Sequence, residues 1–514
     1  MTPAQIKDLS DDRTPQSQQT AESHASAILK SQLQSVEKQL ASRPASVALL
    51  FLKGNVLEKM GRGHEACNAY IELLDLDPFH LGTLNQLGNL LCAAGKKIEA
   101  RRLFSWAVAR FPDDPVSRVN LASLLIEDGE LEDARQHCEH ALKVDGNCRQ
   151  AHAGLLLVFT KLGRTELASR HRHAAFQGRC VIPVAYRGEQ APITVLELIS
   201  TSPCISRITS FLLDRVFQKY LVVADFYDPS TPLPPHHLVV NSIGDADLAG
   251  AALAGAQSLL AHTTAPVINP PSAVLATGRC NIARRLSGVS GVITPKTISM
   301  SRELLAAADL RTTLSRHGFE FPLLLRTPGF HGGEHFLKVE TLAEIPSALA
   351  KLPGRDLTVI QYLDARAPDG KTRKYRVMMV DGQLYPLHAA ISSHWKIHYF
   401  SAEMADSPQH RAEDAAFLEN MPGVLGTPAM AALEQIQKTL GLDYGGIDFG
   451  LNDRGKLLFF EANATMTVLP PGADTQWDYR RPAVEKIYKA VWAMLINRAN
   501  CPRGRNQQNL PVGA

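Results

Sequence analysis

Late in the chain, the stretch GGIDFGLNDRGKLLFFEANATM, Gly445 to Met466, plants Asp448, Glu461 and Asn463 among β-prone apolar residues. An unpaired carboxylate in such surroundings is costly, so Glu461 above all needs a partner. With NDRG as a turn and Leu451 paired to Lys456, Asp448 falls opposite Phe459. Alternation then puts Phe459, Glu461 and Asn463 on the Asp448 face, and Phe460 and Ala462 on the packing face. Asp448 and Glu461 become diagonal cross-strand neighbours roughly 7 Å apart, within joint reach of one ion. Two carboxylates and an amide oxygen are hard donors, suited to Mg2+ bridging nucleotide phosphates and poor for zinc.

Two other segments carry chemistry-bearing residues. RTPGFHGGEHF brings Gly329, Gly332 and Gly333 into one short loop, where glycines let backbone amides approach anionic oxygen; read alone, it is a hairpin turn. In ISSHWKIHYFSAE, an extended backbone sets His394, Lys396 and His398 on one face and Trp395 and Ile397 on the other. That face is either a substrate-contacting edge or a solvated basic strand.

The elements that position these residues read as a mixed α/β region. ITVLELIS, KYLVVADFY and HHLVVNSIG alternate with helical DADLAGAALAGAQSLLAH, giving a small α/β domain over 181–290. From 291 to 500, FPLLLRTPGFHGGEHFLKVE reads as strand, loop, strand, and KYRVMMVDGQLYPLHAAI as a hairpin turning at VDGQ. MAALEQIQKTLGL is a helix closed by Gly441.

The first part of the chain is built differently. Gly61, Gly95, Gly129 and Gly163 recur every 34 residues, and Ala66, Ala100, Ala134 and Ala168 keep the same step, as do Pro44, Pro78 and Pro112. Small residues let paired helices approach, the mid-repeat glycine ends the first helix, and the proline marks the next break. The pattern resembles the tetratricopeptide repeat, most regularly in GNVLEKMGRGHEACNAYIELLDLDP and GNLLCAAGKKIEARRLFSWAVARFP. It spans 23–180 and decays in its last copy, where Arg172 stands in place of Tyr70 and Phe104. The resemblance implies an all-α solenoid with a surface for a peptide or protein partner.

Composition bounds the rest. The 514 residues carry 54 basic and 51 acidic side chains, a formal charge of +3, and no basic run with interleaved aromatics, so no nucleic-acid partner is expected. No apolar run is long enough to span a membrane, and the eight cysteines form no CxxC pair; a reducing cytoplasm fits best. Residues 1–22 read as a disordered tail and 501–514 as a flexible one.

From about 195 to 490, the order of parts resembles the ATP-grasp superfamily, in the branch of glutathione synthetases and ribosomal-protein glutamate ligases. DFG, a turn and FEANATM match the family's metal ligands at Asp448, Glu461 and Asn463. The resemblance implies a pre-ATP-grasp α/β domain followed by an α+β ATP-grasp fold. It implies ATP and Mg2+, with Gln361, Tyr362 and Leu363 as the hinge meeting adenine. Arg279 and Arg326 stand where the family has phosphate-reaching lysines, and Tyr362 replaces a hinge acid; arginine keeps the charge with different sterics. Arg376 stands where the family has a strand arginine near the transferred phosphate or the acyl group, and the resemblance sets His394 and Lys396 near the acyl phosphate or incoming substrate. The implied chemistry is ligation of a carboxylate to an amine or related nucleophile through an acyl phosphate, with the repeats recruiting a peptide or protein. The alternative is a non-catalytic nucleotide-binding scaffold.

Overall fold

The computed structural model describes residues 16–500, apart from 179, 189, 203–205, 331–332, 398, 400–401 and 473. The chain separates into two compact units, residues 1–194 with 213–220, and residues 195–212 with 221–514. The division thus falls within strands rather than at the break near 180 expected from the loss of helical period.

The first unit contains nine helices among the described residues: α1 (Gln16–Ser42), α2 (Val47–Lys59), α3 (Gly63–Leu76), α4 (Leu81–Ala93), α5 (Lys97–Arg110), α6 (Pro115–Asp128), α7 (Leu131–Val144), α8 (Arg149–Lys161) and α9 (Thr165–Phe176). The 34-residue glycines all adopt positive φ between helices, +71°, +77°, +84° and +69° in chain order. Ala66, Ala100 and Ala134 are fully buried. At Gly54 and Gly88, aromatic rings of the following helix occupy the space a side chain would fill: an added Cβ would meet Tyr70 Cε1 at 2.2 Å and Phe104 Cε1 at 2.3 Å. Asp114 caps α6 by accepting from Ser117 N at 2.7 Å, ahead of Pro115 in the first turn. Helix α1 starts at Gln16, inside the stretch expected to be a tail; after Pro15 the run QSQQTAE holds no breaker, and Gln, Glu and Ala support helix. Residues 1–15 and 501–514 lie outside the described residues.

The strands follow in chain order: β1 (Val181–Pro183), β2 (Ile193–Ile199), β3 (Phe217–Val223), β4 (Leu238–Asn241), β5 (Val267–Ile268), β6 (Val292–Ile293), β7 (Thr297–Ser301), β8 (Leu323–Arg326), β9 (Phe336–Val339), β10 (Asp356–Gln361), β11 (Thr372–Val380), β12 (Gln383–Ser392), β13 (Tyr444–Leu451) and β14 (Leu457–Asn463). In the second unit, Val195–Leu198 of β2 pair parallel with β4, which pairs parallel with β5. These strands are apolar and β4 is fully buried, as parallel strands covered on both faces must be. A four-stranded sheet of order β7-β10-β8-β9 is antiparallel throughout, over a core that includes Leu323, Leu325, Leu357 and Val359. A five-stranded sheet of order β12-β11-β13-β14-β6 holds the carboxylate-bearing hairpin at its centre. The β11–β12 turn places Asp381 and Gly382 at φ +47° and +79°, the geometry expected of the VDGQ hairpin. Helix Met421–Leu440 ends on Gly441 at φ +65°.

Candidate active site

The β13–β14 ladder is where geometry departs most usefully from expectation. Leu451 pairs with Leu457, Phe449 with Phe459, and then the register shifts so that Asp448 pairs with Glu461 and Gly446 with Asn463. A bulge at Phe460 therefore sets the two carboxylates directly across from one another, where simple alternation made them diagonal neighbours. It also turns Phe460 out of the packing face assigned to it: a Cβ on Gly450 would meet Phe460 Cζ at 3.0 Å, and the ring lines the cleft. Ala462 is buried as expected. Asn452 holds the turn, accepting from Arg454 N at 3.1 Å and Lys456 N at 2.8 Å.

Each carboxylate is met by cations. Asp448, 3% exposed, accepts from Arg376 Nε at 2.5 Å, Arg376 Nη2 at 2.7 Å and Lys374 Nζ at 3.0 Å. Burial alone would raise its carboxyl, but Arg376 and Lys374 hold it far below the usual carboxylate range. Glu461 Oε1 accepts from Arg279 Nη2 at 2.6 Å and Asn463 Nδ2 at 2.8 Å. Here too burial is outweighed, by Arg279 and then Arg326, and the group stays ionised. Asn463 Oδ1 accepts from Thr465 N and Oγ1. Arg326, 7% exposed, donates to Phe330 O while its Nε is buried without a partner.

These groups line a cleft of about 880 Å³. Gln361, Tyr362 and Leu363, where β10 leaves its sheet, line it with Leu324 and Ile360. Tyr362 is held by Lys338 Nζ, 4.0 Å over its ring. The cleft wall carries Arg207, Arg279, Arg326, Lys374, Arg376, Lys396 and Arg480 against Asp448, Glu461 and Asp474. Seven cations facing three acids make a site for a polyanion.

The glycine loop joins β8 to β9, closed by Thr327 N donating to His335 O at 3.0 Å. Gly333 lines the cleft at φ +82°, and Lys396 Nζ donates to its carbonyl at 3.0 Å, so two segments singled out separately are in contact. Gly329 has φ +89° and packs against Leu248 rather than lining the cleft; Gly332 and His398 lie outside the described residues. The strand expected through His394 and Lys396 ends at Ser392. Glu403 draws Ser393 aside, accepting from its N at 2.9 Å and its Oγ at 2.5 Å, and His394 is left exposed and absent from the cleft lining.

Several residues that line or support the cleft carry no individual mark in the sequence. Lys374 lies two residues from Arg376 on the same strand face, and that spacing was the available signal. His388 faces Arg376 across β11–β12; it is 6% exposed, its Nε2 is buried without a partner, and burial and then Arg376 push its imidazole well below its usual range, so it is neutral. Asp414 is fully buried and accepts from Ala389 N at 2.7 Å, Tyr479 Oη at 2.7 Å and Tyr399 Oη at 3.1 Å.

For a metal, the available set is Asp448, Glu461 and the Asn463 carbonyl, all hard oxygens. Among the described residues no group of three or more His, Cys, Asp and Glu side chains is arranged to hold an ion. Both carboxylates are bonded to cations instead, Asp448 to Arg376 and Lys374 and Glu461 to Arg279, so a metal would have to displace these partners.

Comparison with known proteins bears on the first unit. Tetratricopeptide-repeat family models match residues 47–80 and 91–156. The TPR repeat-containing thioredoxin TTL4 of Arabidopsis thaliana is 30% identical over 127 residues, 25% of this chain and 18% of that protein. The inactive TPR repeat-containing thioredoxin TTL3 of the same plant is 31% identical over 97 residues, 19% of this chain and 14% of that one. The chain thus spans less than a fifth of these relatives. Among solved structures, MamA of Desulfovibrio magneticus RS-1 is 17% identical with a TM-score of 0.27, covering 31% of this chain and 93% of its own. The type IV pilus biogenesis factor PilW is 15% identical with a TM-score of 0.27, covering 32% and 77%. The N-terminal region therefore consists of tetratricopeptide repeats, a fold that serves protein–protein interaction. Among the described residues, no helix is long and apolar enough to cross a membrane.

Proposed function

We propose that the second unit is an ATP-dependent ligase joining a carboxylate to an amine or related nucleophile through an acyl phosphate, and that the repeats recruit a peptide or protein bearing one of the two. The observation that carries this reading is the cleft whose wall carries seven cations, three of them bonded to a directly opposed Asp448–Glu461 pair. A triphosphate and a carboxylate repel each other, so bringing them together requires concentrated positive charge. Arg279 and Arg326 supply it on one side and Arg376 and Lys374 on the other. Magnesium held by Asp448, Glu461 and Asn463 would neutralise charge on the transferred phosphoryl group. Tyr362 and Leu363 offer backbone beyond the β10 ladder to a planar base, next to Gln361, whose N donates to Lys296 O at 2.8 Å. The Gly333 loop, tethered by Lys396, lies where it would shield an acyl phosphate from water.

Glu461→Ala should lower ADP release with carboxylate and amine mixtures by at least about 100-fold, as expected for loss of a group neutralising transition-state charge. Unchanged turnover by that variant would sink the assignment. A non-catalytic nucleotide-binding scaffold is favoured by one observation, that both Asp448 oxygens are already held by Arg376 and Lys374. Its signature is thermal stabilisation by ATP and magnesium with no ADP formed from any such mixture.

A further inference from the structure

Between β3 and β4 the chain runs YDPSTPLPPHH, Tyr227 to His237, a stretch with four prolines and no lysine or arginine. A proline ring fixes its own φ at about −65° and pushes the residue before it out of the α region. Pro232, Pro234 and Pro235 are held in the first way, and Thr231, Leu233 and Pro234 in the second. Covalent geometry therefore leaves 231–235 little besides the extended polyproline II conformation, and residues 232–236 belong to no helix, strand or turn. With three residues per turn, Pro232 and Pro235 fall on one side. Both are exposed, whereas Leu233 and Pro234 between them are half-buried, as that period requires.

The ridge is anchored at both ends. Asp228 O accepts from Thr231 N at 2.8 Å, and Asp228 Oδ1 accepts from Ser230 N and Oγ, each at 2.8 Å. His236 Nδ1 lies 2.8 Å from Pro234 O, and its Nε2 lies 2.6 Å from Thr263 Oγ1, beyond helix Gly250–Leu260. Among the described residues, none donates to the carbonyls of Pro232 and Leu233.

Two exposed proline rings three residues apart, with open carbonyls between them, present what an aromatic-lined groove reads. The rings fill slots between aromatic side chains, the groove's donors take the carbonyls, and a chain already held in shape loses little entropy on docking. The flanks select the kind of groove. An acidic pocket beside the slots would find no lysine or arginine here, while the exposed Asp228 carboxylate suits a basic rim. We propose that residues 231–235 dock into a partner domain of the WW type, whose groove is walled by tyrosine and tryptophan and has no acidic pocket. None of these residues lines the cleft, so the proposal is independent of the ligase reading.

The test is fluorescence anisotropy of a dye-labelled WW domain titrated with the full chain, beside an SH3 domain that has an acidic pocket. The WW domain should bind saturably and at least about ten-fold more tightly than the SH3 domain. Pro232→Ala and Pro235→Ala should each weaken it at least about ten-fold, the scale of a truncated hot spot. Pro229→Ala, in the turn ahead of the ridge, should change it by less than about two-fold. Should either ridge variant not fold, a synthetic peptide of residues 227–237 carries the test by displacing the full chain from the WW domain. No saturable WW binding, tighter SH3 binding, an equal loss from Pro229→Ala, or a peptide that fails to compete would overturn the docking ridge.

Discussion

Asp448 is the residue on which most of the site depends, because it is where buried positive charge is resolved. Arg376 and Lys374, 18% and 13% exposed, both lean on it. Asp448→Asn strands two cations beside each other, and breaking such a pair costs about 3–5 kcal/mol. Denaturant unfolding should show that loss near neutral pH, and a change below about 1 kcal/mol would mean that solvent reaches the pair. The sign with pH follows from the depressed carboxyl. Its stabilisation is complete above the unfolded value of about 3.9 and disappears as pH falls toward the folded value, so wild type and variant should converge in strong acid. Strand alternation made Asp448, Glu461 and Asn463 legible as a set. It could not supply Arg480, which comes from a separate element and meets the cleft only through tertiary packing.

At the scale of elements, periodicity was a reliable guide wherever backbone and side-chain repeats agreed. The 34-residue step located α2 to α9 because each glycine and alanine answers a local steric demand. Gly88→Ala pushes a Cβ into the Phe104 ring, which is itself fully buried. Overpacking of this kind costs about 1–3 kcal/mol. Amide hydrogen exchange should speed up in α4 and α5 and stay unchanged in β13 and β14; acceleration in neither helix would show that the ring moves aside. Periodicity failed where a side chain overruled it. HWKIH alternates like a strand, but the Glu403 carboxylate bonds to Ser393 and bends the chain before the pattern starts. The β14 bulge was equally silent, since an extra residue in an apolar run leaves the run apolar.

Taken as a whole molecule, the chain couples a solenoid to a unit that holds a cleft lined by excess positive charge. Composition and period separated the two kinds of architecture, although the compact division lies beyond the last helix, because strands after Phe176 stay with the repeats. If the repeats deliver substrate, tethering raises its effective concentration at the second unit. A protein-borne acceptor should then show a KM at least about ten-fold below that of the same amino acid supplied free, with similar kcat. Equal KM values in steady-state assays would remove recruitment from the proposed function.

The bulge at Phe460 carries a consequence for how this sequence can change over evolutionary time. Because Phe460 is one residue more than a regular ladder needs, losing a single codon between Leu458 and Phe460 would straighten the strand and still leave Glu461 across from Asp448, whereas gaining one would force a second extra residue into the ladder. A change in length there is asymmetric in effect, loss being milder than gain. Among descendants of this gene the segment from Leu457 to Asn463 should therefore lose a residue more readily than it gains one.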